Sequence, residues 1–230
     1  MINSISQIRS NPILARAIPF LLFIAFLMAN SALAPIATSL GMSLSWLAVI
    51  RGVIVALVLA WFWRSYVELR HTEAVSAIHW LVSIGAGMAV FLIWIEWGQS
   101  GAVITHSEKF VPLLADGSLD WPKALLRLAG LALVVPLMEE LFWRSLILRW
   151  IDQHDFLSLS PRRVGLGAFV ITTALFAVEH DSWMAGAIAG MTYNALYMWS
   201  RNLWIPIVSH AVTNGALGIW IIATRNWQYW

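Results

Sequence analysis

The stretch Pro136-Leu137-Met138-Glu139-Glu140-Leu141-Phe142-Trp143-Arg144 places two adjacent carboxylates and an arginine inside a long apolar run. An ionisable group at membrane depth costs roughly 2.5 kcal/mol or more unless it faces a partner or a wet cavity. This stretch is therefore the candidate functional site of the chain. The other apolar segments are interpreted as the scaffold around it.

The composition of the chain is typical of an integral membrane protein. Of its 230 residues, 60% are hydrophobic and 11% are charged, and the mean hydropathy of +0.75 lies far from that of soluble domains. Many of the 15 tryptophans lie near the ends of apolar runs, as in the aromatic belt of a bilayer. Cysteine is absent, which excludes disulfides and a cysteine nucleophile. The formal charge of +2 indicates no nucleic-acid partner.

Apolar segments of spanning length predict an all-α, polytopic transmembrane helix bundle of about seven or eight spans. The predicted spans are residues 18–38, 46–63, 74–97, 123–150, 164–180, 184–199 and 203–224. A signal peptide is the alternative for the first span, because Ala32-Leu33-Ala34 resembles a cleavage site, but Pro35 follows it and favours a retained span. Arg51 in the second span is expected to extend toward the helix end. Pro136 is expected to kink its helix just before Glu139.

Arginines in the loops predict the orientation of the bundle. The loop at residues 98–122 is net acidic, and alternate loops carry the positive charge, so the N-terminus is expected to be cytoplasmic. The arginines counted are Arg9, Arg16, Arg64, Arg70, Arg149, Arg162, Arg163 and Arg201.

The spacing of the charged residues predicts a division of roles. Glu140 and Arg144 are four residues apart, which places them on one helix face where they can pair. Glu139 is offset by about 100° of helical rotation and cannot share that partner equally. We therefore expect Glu140 to be held by Arg144 as structural support and Glu139 to face a cavity. The alternative is that both glutamates only neutralise Arg144.

Polar groups on two later helices extend this set. His180 follows Phe176 at the end of one predicted span, and His210 and Asn214 share a face of another. Lipid offers no hydrogen-bond partner, so these side chains are expected to converge with Glu139. Tyr193 and Asn194 could also line the cavity.

The combined set is suited to hydrolysis inside the membrane. A carboxylate beside an imidazole can take a proton from water and pass it to a leaving group. A second histidine and an asparagine amide can donate hydrogen bonds to the oxyanion of a tetrahedral intermediate.

Three ordered motifs give the chain a family resemblance. Glu139-Glu140-x-x-x-Arg144, Phe176-x-x-x-His180 and His210-x-x-x-Asn214 resemble the motifs of the CPBP family, which comprises CAAX prenyl endopeptidases and bacteriocin-processing or abortive-infection-like membrane proteins. The resemblance covers about residues 120–220. It implies an intramembrane glutamate protease in which Glu139 and His180 activate water, while His210 and Asn214 form the oxyanion site. Glu140 and Arg144 would support the helix, and no metal or other cofactor would be required.

The resemblance also implies a substrate, a domain division and a location. The substrate would be a membrane protein or lipidated peptide, including CAAX-like proteins, cut within the bacterial inner membrane. Residues 116–230 would form the catalytic bundle, and residues 1–115 the N-terminal transmembrane helices and an outer loop of the same membrane domain. The arginine distribution places His180 near the outer face, whereas prenyl-protein enzymes meet their substrates from the cytosol. Either the span count is off by one or the substrate is reached from outside.

Two other functions fit the same residues. Glu139, His180 and His210 are a ligand set that zinc accepts, although the sequence lacks H-E-x-x-H and Asn214 suits a hydrogen-bond donor better than a ligand. A transporter or non-catalytic membrane partner could bind a proton or solute with these groups, and Glu96 and Arg51 would then belong to the pathway.

Overall fold

The computed structural model describes residues 2–70, 74–97 and 110–230, and within these ranges the chain forms ten helices and no β-sheet. In chain order they are α1 (Ile2–Ser10), α2 (Pro12–Met28), α3 (Asn30–Ser39), α4 (Ser45–Phe62), α5 (Val67–Arg70), α6 (Ala77–Trp97), α7 (residues 121–150), α8 (Leu166–Val178), α9 (Trp183–Ser200) and α10 (Trp204–Thr224). The predicted all-α class is confirmed. Residues 98–109 of the predicted outer loop lie outside the described ranges.

Three of the described helices are long and apolar enough to cross a membrane. They are Ser45–Ser65, which extends α4, together with α6 and α10. The second, third and last predicted spans are therefore confirmed, to within a few residues, as apolar helices of spanning length. Helix α8 has 13 residues, which at 1.5 Å per residue gives about 20 Å, short of the ~30 Å hydrocarbon core. The predicted crossing at residues 164–180 is thus too short, and the total of seven or eight spans is not confirmed.

The predicted first span at residues 18–38 is not one continuous helix. Helices α2 and α3 meet at a bend of 68°. At the junction, Ala29 still donates its N–H to the Ala25 carbonyl, but its ψ angle of −4° turns the chain away from the helical path. The predicted first span is therefore not confirmed as a single helix. Counted as one broken span, the pair would bring the candidates among the described residues to four.

Helix α7 carries Glu139 and Glu140, and its turns widen in two places. Asp120 caps its start by accepting a hydrogen bond from the Lys123 N–H at 3.2 Å. Wider, π-type turns occupy Gly130–Val134 and Glu140–Ile147. Pro136 follows the first of them, and because proline has no N–H, the regular ladder of hydrogen bonds cannot pass through it. The second wide segment begins at Glu140, and π-type turns are frequent at functional sites.

Helix α6 packs closely against α10 and sets its position. The Ser83 hydroxyl donates to the Ile205 carbonyl at 2.7 Å, and the Thr213 hydroxyl donates to the Gly87 carbonyl at 2.9 Å. A Cβ atom on Gly87 would lie 2.9 Å from the Val212 Cβ and closer still to the Ser209 carbonyl oxygen. Only a glycine therefore allows this approach. The N-terminal half of the chain thus positions the helix that carries His210 and Asn214.

A buried polar network joins α2, α5 and α7. The Arg16 guanidinium pairs with Glu68, and its Nε donates to the Ser145 Oγ at 2.8 Å. The Ser145 hydroxyl also donates to Glu68, and Arg149 donates to Ser145 at 3.0 Å. The sequence predicted Arg16 and Arg149 as loop arginines, yet both are buried. They can be buried because Glu68 supplies the counter-charge.

The network predicts an acid-sensitive contribution to stability. Burial alone would raise the pKa of the Glu68 carboxyl, but the neighbouring Arg16 and the hydrogen bonds from Arg16 and Ser145 outweigh it and hold the pKa below its ordinary value of 4.5. A pKa that is lower in the folded state contributes stability above the unfolded pKa, and this contribution is lost as the pH falls through the folded pKa. We therefore expect the unfolding midpoint in detergent to fall as the pH decreases below about 4.5.

Glu68→Gln should lower the free energy of unfolding at neutral pH by about 3 kcal/mol, because it leaves two buried arginines without their carboxylate. It should also reduce the acid dependence of the unfolding midpoint. Glu96→Gln is the matched control, since it makes the same change at an exposed carboxyl of α6. Equal acid dependence in the wild type and in Glu68→Gln would contradict the assignment.

Candidate active site

One cavity gathers the four side chains for which the sequence predicts a catalytic role. It has a volume of about 220 Å³, and its lining includes Glu139 of α7, His180 after the end of α8, and His210 and Asn214 of α10. These residues come from three segments that the sequence places up to 75 positions apart. Their roles in a reaction stay predictions, but the structure brings them to the same space.

The two adjacent glutamates have different surroundings. Glu139 lines the cavity, and its Oε2 is buried without a hydrogen-bond partner in the described part of the chain. Glu140 is fully buried, and its Oε1 accepts hydrogen bonds from Arg144 Nη1 at 3.2 Å and His210 Nδ1 at 2.9 Å. Its Oε2 lies 3.2 Å from Arg144 Nε as an ion pair without hydrogen-bond alignment. Glu140 thus has two cationic or polar partners, whereas Glu139 offers an unpaired oxygen to the cavity.

Arg144 connects three helices behind the cavity. Besides Glu140, its guanidinium donates to the Gly190 carbonyl of α9 at 3.4 Å. Its Cζ lies 4.2 Å from the ring centroid of Phe176 and 5.2 Å from that of Tyr193. A buried guanidinium is stabilised by a carboxylate and by aromatic faces of this kind. Arg144 therefore fixes α7 against α8 and α9 at the level of Glu140.

His180 is held by the backbone of the preceding helix, α8. Its Nδ1 lies 2.7 Å from the Phe176 carbonyl oxygen, which can only accept, so Nδ1–H is the donor. The other ring nitrogen, Nε2, then carries the lone pair of a neutral imidazole. Trp94 of α6 contacts the ring edge-on with centroids 5.4 Å apart. His180 is therefore oriented with one nitrogen able to accept a proton.

His210 is oriented by a carboxylate. Its Nδ1–H donates to Glu140, and its ring stacks on Tyr193 with centroids 4.8 Å apart and planes 20° apart. With Nδ1 as donor, Nε2 can donate to an oxyanion only when the ring is an imidazolium. The oxyanion role that the resemblance implies for His210 thus requires a protonated ring, whose charge Glu140 would stabilise.

Asn214 has one amide N–H to spare. Its Nδ2 donates to the Leu131 carbonyl of α7 at 3.0 Å. A side-chain amide has two N–H groups, so one remains for a ligand in the cavity. The hydrogen bond to α7 fixes the orientation of the amide relative to Glu139, which lies on the same helix.

Aromatic and hydroxyl side chains complete the cavity. Tyr193 lines it, and its hydroxyl donates to Thr213 Oγ1 at 2.8 Å. Asn194 instead packs between helices, where its amide donates to Thr173 Oγ1 at 3.1 Å. Five further aromatic or hydroxyl side chains line the cavity and were not predicted from the sequence, namely Phe23, Trp94, Thr213, Tyr229 and Trp230. The sequence predicts that Trp94 and Trp230 belong to the aromatic belt at the membrane surface. Only their contacts with other helices show that they line the cavity.

The described residues contain no group of three His, Cys, Asp or Glu side chains arranged to hold a metal ion. Glu139, His180 and His210 share a cavity but do not form such a group. What the cavity does present is an unpaired carboxylate oxygen, an imidazole with a free Nε2 and an amide N–H. These are the groups that general acid-base chemistry on water requires.

Comparison with known proteins agrees with this arrangement. Residues 121–216 match the family model described as type II CAAX prenyl endopeptidase Rce1-like. No curated protein and no solved structure shows a significant match to the chain. The matched range runs from the start of α7 into α10 and contains the four predicted catalytic residues with Glu140 and Arg144. Together with the apolar helices, the match supports the resemblance: residues 121–216 of this integral membrane protein are similar to the Rce1-like family of CAAX-type proteases.

Proposed function

We propose that the protein is a glutamate-type intramembrane endopeptidase that hydrolyses a peptide bond of a membrane-associated protein, with lipidated or CAAX-like proteins among its substrates. The observation that carries the proposal is the convergence of Glu139, His180, His210 and Asn214 on one cavity. Ionisable side chains are costly among apolar helices unless they are used.

The first step is attack by water. Glu139, whose Oε2 is unpaired, accepts one proton of the water, and His180 Nε2 accepts a hydrogen bond from the other. The water oxygen forms a bond to the carbonyl carbon of the substrate, and the π electrons of the carbonyl move to its oxygen. General base assistance of this kind contributes about 10²- to 10⁴-fold to the rate.

The second step is collapse of the tetrahedral intermediate. The Asn214 amide and the protonated His210 donate to the oxyanion, a type of contact worth roughly 3 to 4 kcal/mol per donor. The carbon–nitrogen bond then breaks, and the proton held by Glu139 passes to the leaving amine. One water is consumed, and the products are a carboxylic acid and an amine.

Glu140 and Arg144 position the reacting groups and do not react themselves. Glu140 holds the Nδ1 side of His210, and Arg144 holds Glu140 against α8 and α9. This supporting shell keeps the reacting groups within the small tolerances that catalysis needs. In the same proposal, residues 116–230 form the catalytic bundle, residues 1–115 supply the supporting helices, and the N-terminus faces the cytoplasm of a bacterial inner membrane.

A cleavage assay on purified protein tests the proposal. The probes are a farnesylated peptide ending in a CAAX sequence and its unprenylated counterpart, and mass spectrometry detects the two new termini. We expect the wild type to cut the prenylated probe and His180→Ala to reduce the rate about 10²-fold or more. His154→Ala is the control, because it removes an exposed histidine outside the cavity. Cleavage that survives His180→Ala at the control rate would overturn the protease proposal in favour of binding or transport.

Metal analysis tests the zinc alternative. Both site histidines donate from Nδ1 and leave Nε2 free, the arrangement seen in histidines that bind metals. The same purified sample is measured for zinc and for cleavage before and after treatment with a chelator. We expect activity to persist without stoichiometric zinc. Stoichiometric zinc that is lost together with activity would replace the metal-free mechanism.

A further inference from the structure

Two guanidinium groups on the other side of α7 have no counter-charge among the residues that the structure describes. Arg51 of α4 is 6% exposed, and its Nε is buried without a hydrogen-bond partner. The Nε of Arg127 in α7 is buried in the same way. No ion pair holds either group within the described ranges, whereas the buried Arg16, Arg144 and Arg149 each pair with a carboxylate.

The two cations lie together. Arg51 has its Cζ 4.6 Å above the ring of Phe23, and Arg127 has its Cζ 5.4 Å above the ring of Phe110. Their helices touch beside them, since Gly52, next to Arg51, faces Gly130, three residues after Arg127. The sequence predicted that Arg51 extends toward the helix end, but the structure buries it over Phe23. Aromatic faces stabilise a cation only partly, so within the described ranges the pair still lacks an anion.

An apolar cleft adjoins the cations. It has a volume of about 170 Å³ and lies between α2, α4 and α7, and its lining is apolar except for Arg127. Along its floor α4 and α7 meet where Gly52 faces Gly130. Val53 and Leu133, which also line the cleft, are exposed in the described part of the chain.

The cations lie near one end of their helices. Arg51 is six residues from the start of α4 and Arg127 six residues from the start of α7, which places each about 9 Å along its helix. Trp46, Trp121 and Lys123 lie at these starts, and such residues mark the level of lipid headgroups. A headgroup phosphate can therefore reach the arginines while its acyl chain remains in the hydrocarbon layer.

We propose that Arg51 and Arg127 bind the phosphodiester of an anionic membrane phospholipid whose acyl chain lies in this cleft. Guanidinium groups suit phosphate oxygens because they offer paired, charge-assisted donors. Three residues that line the cleft, Phe23, Leu131 and Val135, also line the catalytic cavity. The bound lipid thus packs against the wall of the cavity, but its binding does not depend on any proteolytic activity.

Lipid binding to the full chain tests the proposal. The protein is purified in a zwitterionic detergent and titrated with phosphatidylglycerol, with phosphatidylcholine and inorganic phosphate as separate probes. Native mass spectrometry measures bound lipid, and thermal unfolding measures stabilisation. We expect preferential binding of phosphatidylglycerol, and in the double variant Arg51→Gln/Arg127→Gln its affinity should fall about tenfold or more.

Two control variants separate the site from general attraction to the membrane surface. Arg225→Gln removes an exposed arginine after the end of α10 and should leave the affinity unchanged. Arg51→Lys/Arg127→Lys keeps both charges and should retain the preference for the anionic lipid. Equal affinity of the wild type for both lipids would overturn the proposal, and so would unchanged affinity in the double glutamine variant. Stabilisation by inorganic phosphate alone would instead indicate a simple anion site and would also overturn it.

Discussion

Glu139→Gln is expected to reduce substrate cleavage by about 10⁴-fold while leaving the protein folded. The amide has nearly the same shape as the carboxyl group, but it cannot accept the proton of the attacking water. Glu139 Oε2 has no partner among the described residues, so the substitution removes no hydrogen bond there. The cleavage rate of the farnesylated peptide and the unfolding midpoint of the same preparation measure the two parts of the prediction.

Glu140→Gln is the matched comparison, because it makes the same change one residue later. Glu140 is the charged partner of the buried Arg144 and accepts from His210. Its removal leaves a buried guanidinium uncompensated and should cost about 3 to 5 kcal/mol of stability. If Glu139→Gln destabilised the protein as much as Glu140→Gln, both glutamates would serve only to neutralise Arg144. Full cleavage by Glu139→Gln would remove Glu139 from the mechanism.

Gly87→Ala is expected to destabilise the bundle by about 2 to 3 kcal/mol and to reduce cleavage as well. The new methyl group would meet Val212 Cβ at 2.9 Å and would collide with the backbone at Ser209. Since a backbone carbonyl cannot rotate away as a flexible side chain can, α6 and α10 must separate. That separation breaks the hydrogen bond from the Thr213 hydroxyl to the Gly87 carbonyl and shifts the helix that carries His210.

Gly85→Ala is the control for this prediction. Gly85 lies in the same helix, and a Cβ atom there would meet no atom within 4 Å among the described residues. The substitution should be neutral or slightly stabilising, because alanine favours a helix over glycine by roughly 0.5 to 1 kcal/mol. Equal unfolding midpoints for the two alanine variants would show that close packing at Gly87 does not position α10.

Local sequence patterns predicted the elements that depend on local spacing. Helices α4, α6 and α10 follow from hydropathy over one segment, and the contact of Glu140 with Arg144 follows from the 3.6-residue period. The convergence of polar groups on α7, α8 and α10 was predicted because the bilayer leaves them no other partner. The structure places these groups around one cavity.

Features that depend on distant partners were missed. Burial of Arg16 requires Glu68, 52 residues away, and Ser145, 129 residues away. No pattern near Arg16 distinguishes it from a loop arginine. The bend at Ala29 and the wide turn that begins at Glu140 were likewise not predicted from local patterns. Tyr229 and Trp230 line the cavity through contacts that neighbouring residues do not indicate.

The hydrogen-bond chain from Tyr193 through Thr213 to Gly87 crosses the boundary of the region shared with the family. Arg16 crosses the same boundary where it bonds to Ser145. Residues 121–216 are consequently not a structurally independent unit, although they contain the predicted catalytic residues. A chimera that joined them to foreign N-terminal helices would need to reproduce a glycine opposite Ser209 and a buried ion pair beside Ser145. Variation in the N-terminal half is therefore constrained at these two points, even where its sequence carries no family motif.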